Sequence, residues 1–215
     1  MTALPSTIHV VDDDESFLAA TSRLLRTGGF TVNTYPSAAD FLGRPDADAP
    51  GCVLADLHMP GINGLELQAE LAAAANPIPI VFLTGDGDIA SSVRAMRGGA
   101  EDFLEKRAPK AHLLDAVARA LARDARDREA RVRRQNLRTR FQPLTHRELE
   151  VLAHVVRGRL NKQIAGDLNI HERTVKLHRT AITTKLGVQT VAELTRLVDE
   201  AGILTALQPE SMAAR

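Results

Sequence analysis

The sequence is short of cysteine, of long apolar runs and of net charge, and each shortage excludes something. A single cysteine, Cys52, leaves no intrachain disulfide to form. No stretch approaches the roughly 18 apolar residues that a membrane-spanning helix needs. The opening residues Met1-Thr2-Ala3-Leu4-Pro5 lack both a basic start and a long apolar core, so no signal peptide is read there. Together these absences imply a cytoplasmic protein. A mainly disordered chain is excluded as well, because 44% of the residues are apolar and only 25% charged.

The missing net charge is a cancellation. The 215 residues carry 27 Lys plus Arg against 27 Asp plus Glu. Residues 1–121 hold 16 acidic and 9 basic side chains, a net of −7, whereas residues 122–215 hold 11 acidic and 18 basic, a net of +7. The length allows two domains, each large enough for its own core. An acidic half joined to a basic half suggests that one handles a cation and the other a polyanion.

From Ile8 to Leu121, short apolar runs alternate with segments of helical period. The runs are Ile8–Val11, Thr31–Tyr35, Cys52–Ala55, Ile80–Leu83 and Asp102–Glu105. The helical segments are Phe17–Arg26, Ala38–Leu42, Leu65–Ala75, Ile89–Arg97 and Leu113–Leu121. Five strand–helix units predict an α/β domain, a parallel sheet with helices on both faces. Gly28-Gly29 and Gly98-Gly99 fall where a left-handed helix end needs a residue without a Cβ. Ala122 to Arg140, rich in Arg and Ala, reads as a solvated continuation of the fifth helix with at most a weak dimer seam at Val132 and Leu137. After Pro143 the pattern turns all-helical. Thr145-His146-Arg147-Glu148 has the form of a capping box, and helices follow over Glu148–Arg157, Lys162–Leu168, Arg173–Leu186 and Val191–Ala201. On the last of these, Val191, Leu194, Leu197 and Val198 read mostly as core.

Open parallel sheets place their chemistry at the carboxyl ends of the strands. Here those ends carry Asp12-Asp13-Asp14, Asp56, Thr84 and Glu105-Lys106. Asp12, Asp13 and Asp56 would repel one another unless a hard cation bridged them, and oxygen donors suit Mg²⁺. Asp56 could then attack phosphorus as a carboxylate nucleophile, with Lys106 and Thr84 serving the phosphoryl oxygens. Each residue alone has an ordinary structural reading, since acids often end strands and a lysine after a strand is commonly solvated. Their joint placement carries the inference. Asp14 and Glu15 fit helix-start carboxylates better.

These motifs resemble a known family. Val10-Val11-Asp12-Asp13-Asp14-Glu15, Asp56-Leu57-His58-Met59-Pro60-Gly61-Ile62-Asn63-Gly64, Leu83-Thr84-Gly85 and Gly99-Ala100-Glu101-Asp102-Phe103-Leu104-Glu105-Lys106 are similar to the receiver domain of bacterial two-component response regulators. The resemblance implies a flavodoxin-like five-stranded sheet over residues 6–122 and Asp56 as phosphoacceptor. It puts Asp12, Asp13, Asp56 and the His58 backbone carbonyl around Mg²⁺, Thr84 and Lys106 on the phosphoryl group, and Phe103 as an aromatic switch. One departure stands out: the family's lysine is followed by proline, usually with a cis bond, whereas Lys106 is followed by Arg107-Ala108-Pro109. A trans bond and a different loop path are expected here, because a cis bond before a non-proline residue costs roughly 3 kcal/mol.

In the basic half, Asn169-Ile170-His171-Glu172 joins two short helices in the manner of a helix-turn-helix. Ile164, Ala165 and Leu168 can bury against Val175, Ile182 and Leu186, leaving Arg173, Lys176, Arg179, Thr180, Thr183 and Lys185 outward. Such a cationic helix is commonly just a solvated face, yet it also suits the major groove. Leu144 to Leu152, Asn161-Lys162-Gln163-Ile164-Ala165, Arg173 to His178 and Lys185-Leu186-Gly187-Val188 resemble the LuxR-type DNA-binding domain over residues 142–203. This implies base-facing positions at Lys176, Leu177 and Thr180, with Lys162, Arg173, Arg179 and Lys185 on phosphates and Thr174 on the same surface. His171 stands where the family commonly has serine, which puts N-capping of the recognition helix in question.

The whole chain therefore resembles response regulators of the FixJ and NarL group, with residues 123–141 as linker helix and 204–215 as a frayed tail. A regulator and not an enzyme is implied: a sensor histidine kinase phosphorylates Asp56, and the protein dimerises and binds promoter DNA, with RNA polymerase a further candidate partner. Two other readings stay open. One is a phosphorylation-independent DNA-binding regulator whose receiver serves docking or dimerisation. The other is a phosphohydrolase with an aspartyl-phosphate intermediate, which usually has a second acid where this chain has His58.

Overall fold

The computed structural model describes residues 6–44, 49–74, 77–85 and 89–203. The described residues fall into two compact units that divide after Arg128. In the first, strands β1 (Thr7–Val11), β2 (Thr31–Tyr35), β3 (Gly51–Asp56), β4 (Ile80–Thr84) and β5 (Asp102–Glu105) alternate with helices α1 (Glu15–Thr27), α2 (Ala38–Leu42), α3 (Gly64–Ala73), α4 (Ile89–Arg97) and α5 (Lys110–Thr139), of which the residues after Arg128 belong to the second unit. All pairings are parallel, in the order β2-β1-β3-β4-β5, the flavodoxin-like arrangement.

Alternation along the strands divides the core. Ile8 and Val10 of β1 and Cys52 and Leu54 of β3 pack with α1 and α5, while Val11, Val53, Ala55 and Phe82 pack with α2, α3 and α4. Every residue of β3 and β4 is buried, as expected for central strands covered on both faces. Burial, helped by the charge of Asp124, pushes the Cys52 thiol up to about 12, so it stays protonated.

Local chemistry sets the helix ends. Asp14 caps α1, accepting from the N–H groups of Ser16 and Phe17 at 2.8 and 3.1 Å. In each glycine pair the left-handed residue is the second, Gly29 at φ 85° and Gly99 at φ 89°. Asn63 and Glu66 form a capping box at the start of α3. Gly64, the next residue, permits a close approach: a Cβ there would lie 2.5 Å from the Asp56 carbonyl oxygen and 2.8 Å from the Phe82 ring. Glycine thus seats α3 directly against the strand that carries Asp56.

The tie between α5 and the first unit continues past Ala122. Buried Asp124 accepts the Gly51 N–H at 2.9 Å and pairs with Arg128 at 2.8 Å, and Arg128 donates to the Ala49 carbonyl at 2.7 Å. These bonds anchor the helix to the amino end of β3.

His9 is a buried polar residue that strand patterning did not flag. Its Nδ1 lies 3.2 Å from the Tyr35 hydroxyl, and its ring meets Phe41 edge-on at 5.4 Å. Burial, with the Arg44 charge second, lowers its pKa from 6.5 to about 4. The unfolded state therefore binds the extra proton throughout that window. The contribution is complete above pH 6.5 and is lost as pH falls toward 4, a swing on the order of 3 kcal/mol. Urea unfolding of wild type and His9→Gln across this range should show a shallower pH slope in the variant; parallel slopes would remove His9 as the cause.

The second unit is helical: α6 (His146–Val155), α7 (Asn161–Asp167), α8 (Glu172–Leu186) and α9 (Val191–Ala201). Its core gathers Val151, Leu152, Ile164, Val175, Ile182 and Leu186, and takes Leu194, Leu197 and Val198 from α9. Ala165 and Leu168 pack at its edge, and Val191 is exposed. The expected tail, 204–215, lies outside the described residues.

Candidate functional site

Parallel pairing brings the ends of β1, β3, β4 and β5 to one edge of the sheet. Asp12 follows β1, Asp56 ends β3, Thr84 ends β4 and Lys106 follows β5. Carboxylate oxygens of Asp12, Asp13 and Asp56 lie within 4.8 Å of one another; Asp12 and Asp56 are buried and Asp13 is exposed. The Lys106 ammonium reaches between two of them, 2.7 Å from Asp12 Oδ2 and 3.3 Å from Asp56 Oδ2. Backbone donors orient the other oxygens, with the Asp14 N–H at 3.0 Å from Asp12 Oδ1 and the Leu57 N–H at 2.7 Å from Asp56 Oδ1.

Electrostatics follow from this crowding. Burial pushes the Asp12 carboxyl above its usual range, with the Lys106 hydrogen bond pulling back. Burial acts to lower the Lys106 pKa, but the hydrogen bond to Asp12 and the charge of Asp56 hold it above its ordinary value. One ammonium among three carboxylates leaves the edge negative. The donor set is all hard oxygen, which fits Mg²⁺ better than a soft or nitrogen-seeking metal.

Thr84 is fully buried, and its carbonyl accepts the Lys106 N–H at 2.8 Å, which sets where the lysine leaves the sheet. Phe103 is half-buried on β5, its ring 6.1 Å from Phe82. His58 lies in the β3–α3 loop two residues past Asp56, with its side chain exposed. Beyond Lys106 the chain forms a tight turn in which the Ala108 N–H donates to the Glu105 carbonyl at 2.8 Å, and the described residues contain no cis peptide bond. The sequence reading missed Phe17, whose ring lies 4.6 Å beneath the Lys106 ammonium. No local pattern links residues so far apart in the chain.

In the helical unit, four residues join α7 to α8, with Asn169 at φ 51°. Arg147 fixes this turn by donating to the Leu168 carbonyl at 2.7 Å. His171 occupies the N-cap of α8 without a side-chain cap bond, as its departure from serine suggested. Lys162, Arg173, Lys176, Leu177 and Thr180 are exposed, Leu177 at 64%. Thr174 and Arg179 are half-buried, and Arg179 donates to Asn161 Oδ1 at 2.9 Å. Lys185, expected on phosphates, makes an ion pair within the domain. Its ammonium lies 2.7 and 2.8 Å from the Glu148 carboxylate oxygens and 3.2 Å from the Pro143 carbonyl, because the end of α8 packs on the start of α6. The capping box that the sequence displayed is therefore also half of an internal ion pair.

A five-stranded sheet of this order, an acidic edge with a lysine across it and a separate helix-turn-helix define a receiver joined to a DNA-binding domain. Residues 8–118 match the family model for the response regulator receiver domain, and residues 142–198 match that for bacterial regulatory proteins of the luxR family. The chain belongs to the two-component response regulators of this build, which are DNA-binding transcription regulators. It is 40% identical to nodulation protein W of Bradyrhizobium diazoefficiens over 91% of this chain and 86% of that one. It is 39% identical to the transcriptional regulatory protein FixJ of Azorhizobium caulinodans, over 93% and 94% of the two chains. The solved structure of response regulator StyR matches with a TM-score of 0.70 at 45% identity, covering 92% of this chain and 100% of that one. Among the described residues no helix is long and apolar enough to cross a membrane.

Proposed function

We propose that Asp56 is the phosphoacceptor, that a sensor histidine kinase is the donor, and that phosphorylation drives dimerisation and promoter binding. The observation that carries this reading is the Lys106 ammonium, 2.7 and 3.3 Å from the Asp12 and Asp56 carboxylates at the edge where three acids converge. An Asp56 oxygen attacks phosphorus; the new P–O bond forms as the donor's P–N bond breaks, and the departing imidazole keeps the electron pair and takes a proton. Asp12, Asp13, Asp56 and the His58 carbonyl are the groups that would hold Mg²⁺, which supplies positive charge for the phosphoryl oxygens when bound. Lys106 and the Thr84 hydroxyl bind the remaining oxygens, and Phe103 follows the movement of Thr84.

The output surfaces are read from exposure. Ile89, Val93 and Met96, at 84, 42 and 48% exposure, line one face of α4 at helical spacing and suit a second copy. On α8, Lys176, Leu177 and Thr180 face base edges, with Arg173 of the same helix and Lys162 of α7 on phosphates. Lys185 is left out of this set because Glu148 holds it. The test is intact mass, sedimentation and operator gel shift before and after acetyl phosphate with Mg²⁺. One added phosphoryl group, a shift from monomer to dimer and tighter binding are expected. Unchanged mass with undiminished DNA binding would favour a receiver that only docks or dimerises.

A further inference from the structure

The first unit contains a cleft of about 690 Å³ that the phosphoacceptor reading does not use. It lies between α1 and the turn from β5 into α5, and its volume is in the range of small-molecule sites. Phe17, Leu24, Leu83, Leu104 and Leu113 line it. The α1 wall is regular: Phe17, Ala20, Thr21, Leu24 and Thr27 follow helical spacing, while Leu18, Ser22 and Leu25 are the buried neighbours. Phe17, Leu24 and Leu104 remain half-exposed, so two leucines and an aromatic ring present apolar surface to the cleft.

Its charge is unbalanced. Lys106 is already paired by Asp12 and Asp56, and the other charged groups of the lining are two cations, Arg23 and Lys110, against the one carboxylate of Glu105. Ala108 stands in the wall where the turn passes, and its small side chain leaves the space open. An apolar lining with excess positive charge is complementary to an anion carrying a hydrocarbon body.

We propose that this cleft binds a small amphipathic monoanion, a medium-chain aliphatic carboxylate or an arenesulfonate of similar size. The hydrocarbon body lies against Phe17, Leu24 and Leu104, and the anionic head is held by the surrounding cations. Because Lys106 is both a wall of the cleft and the partner of Asp12 and Asp56, an occupant's charge competes for its ammonium. That consequence rests on the function proposed above; the binding does not.

The test is fluorescence titration of the full chain with anilinonaphthalene sulfonate, followed by displacement with decanoate and with decanol. One saturable site is expected, displaced by decanoate at least about tenfold more tightly than by decanol. Ala20→Trp, at an exposed α1 position, and Ala108→Trp fill the cleft and should each abolish binding. Arg23→Glu should weaken decanoate but not decanol, and Glu70→Gln, exposed on α3 away from the cleft, should change nothing. Asp56→Asn removes one competitor for the Lys106 ammonium and should keep the saturable site with decanoate bound at least as tightly as in wild type, whatever becomes of phosphoryl uptake, which separates failure of the phosphoacceptor reading from failure of this one. Absence of a saturable site, binding that survives both tryptophan variants, loss in Glu70→Gln or in Asp56→Asn, or equal displacement by the acid and the alcohol would overturn the proposal.

Discussion

Asp56→Asn protein treated with acetyl phosphate and Mg²⁺ should keep its mass, sediment as it did before and bind DNA no more tightly. Asparagine has nearly the shape of aspartate but cannot act as the carboxylate nucleophile, so uptake should fall at least about 100-fold, roughly 3 kcal/mol of transition-state stabilisation. Asp12 is poorly placed to substitute, because Oδ1 accepts the Asp14 N–H and Oδ2 faces the Lys106 ammonium. Without the added charge of about −2, nothing draws Thr84 and Lys106 into new positions. Wild-type incorporation in Asp56→Asn would place the phosphoacceptor elsewhere.

Glu148→Ala should destabilise the helical domain by roughly 3 kcal/mol. The side chain is buried at 5% exposure, and it accepts the Thr145 N–H at 2.7 Å while pairing with Lys185. Alanine keeps the Thr145 Oγ1 bond to the backbone N–H of residue 148 but removes the carboxylate half of the capping box, and it leaves the lysine ammonium without its carboxylate, two losses from one small core. The Lys185 hydrogen bond holds the Glu148 carboxyl below its usual value, so this contribution is present above the ordinary carboxyl pKa and is lost as acid protonates the group. Glu148→Gln should fall between wild type and alanine, because an amide oxygen can still accept the cap bond. In a double-mutant cycle with Lys185→Ala, the cost of Glu148→Ala should shrink by the value of the pair. Additive losses would show that the two side chains stabilise the domain separately.

These two sites differ in how far the sequence displayed them. The acidic edge was legible because each residue sits at a fixed offset from an apolar strand, and parallel pairing carries all strand ends to one side. Element positions agreed to within about three residues for the same reason: period two and period 3.6 are local properties. The α8 cations were equally visible, yet counting them could not separate Lys176, which points outward, from Lys185, which Glu148 holds. Thr145 and Glu148 showed their cap, since both partners lie within one turn, but not the lysine 37 positions later.

By itself the sequence determined a two-part regulator: the alternating units, the three acids, the segregation of charge and the paired helices of the basic half. Only the tertiary structure decided that Phe17 underlies Lys106, that His9 is buried among Tyr35 and Phe41, and that Asp124 and Arg128 tie the long helix to the start of β3. It alone revealed the cleft beside α1. Periodicity and capping act between residues a few positions apart, whereas these contacts join residues tens of positions apart, and packing, not spacing, brings them together.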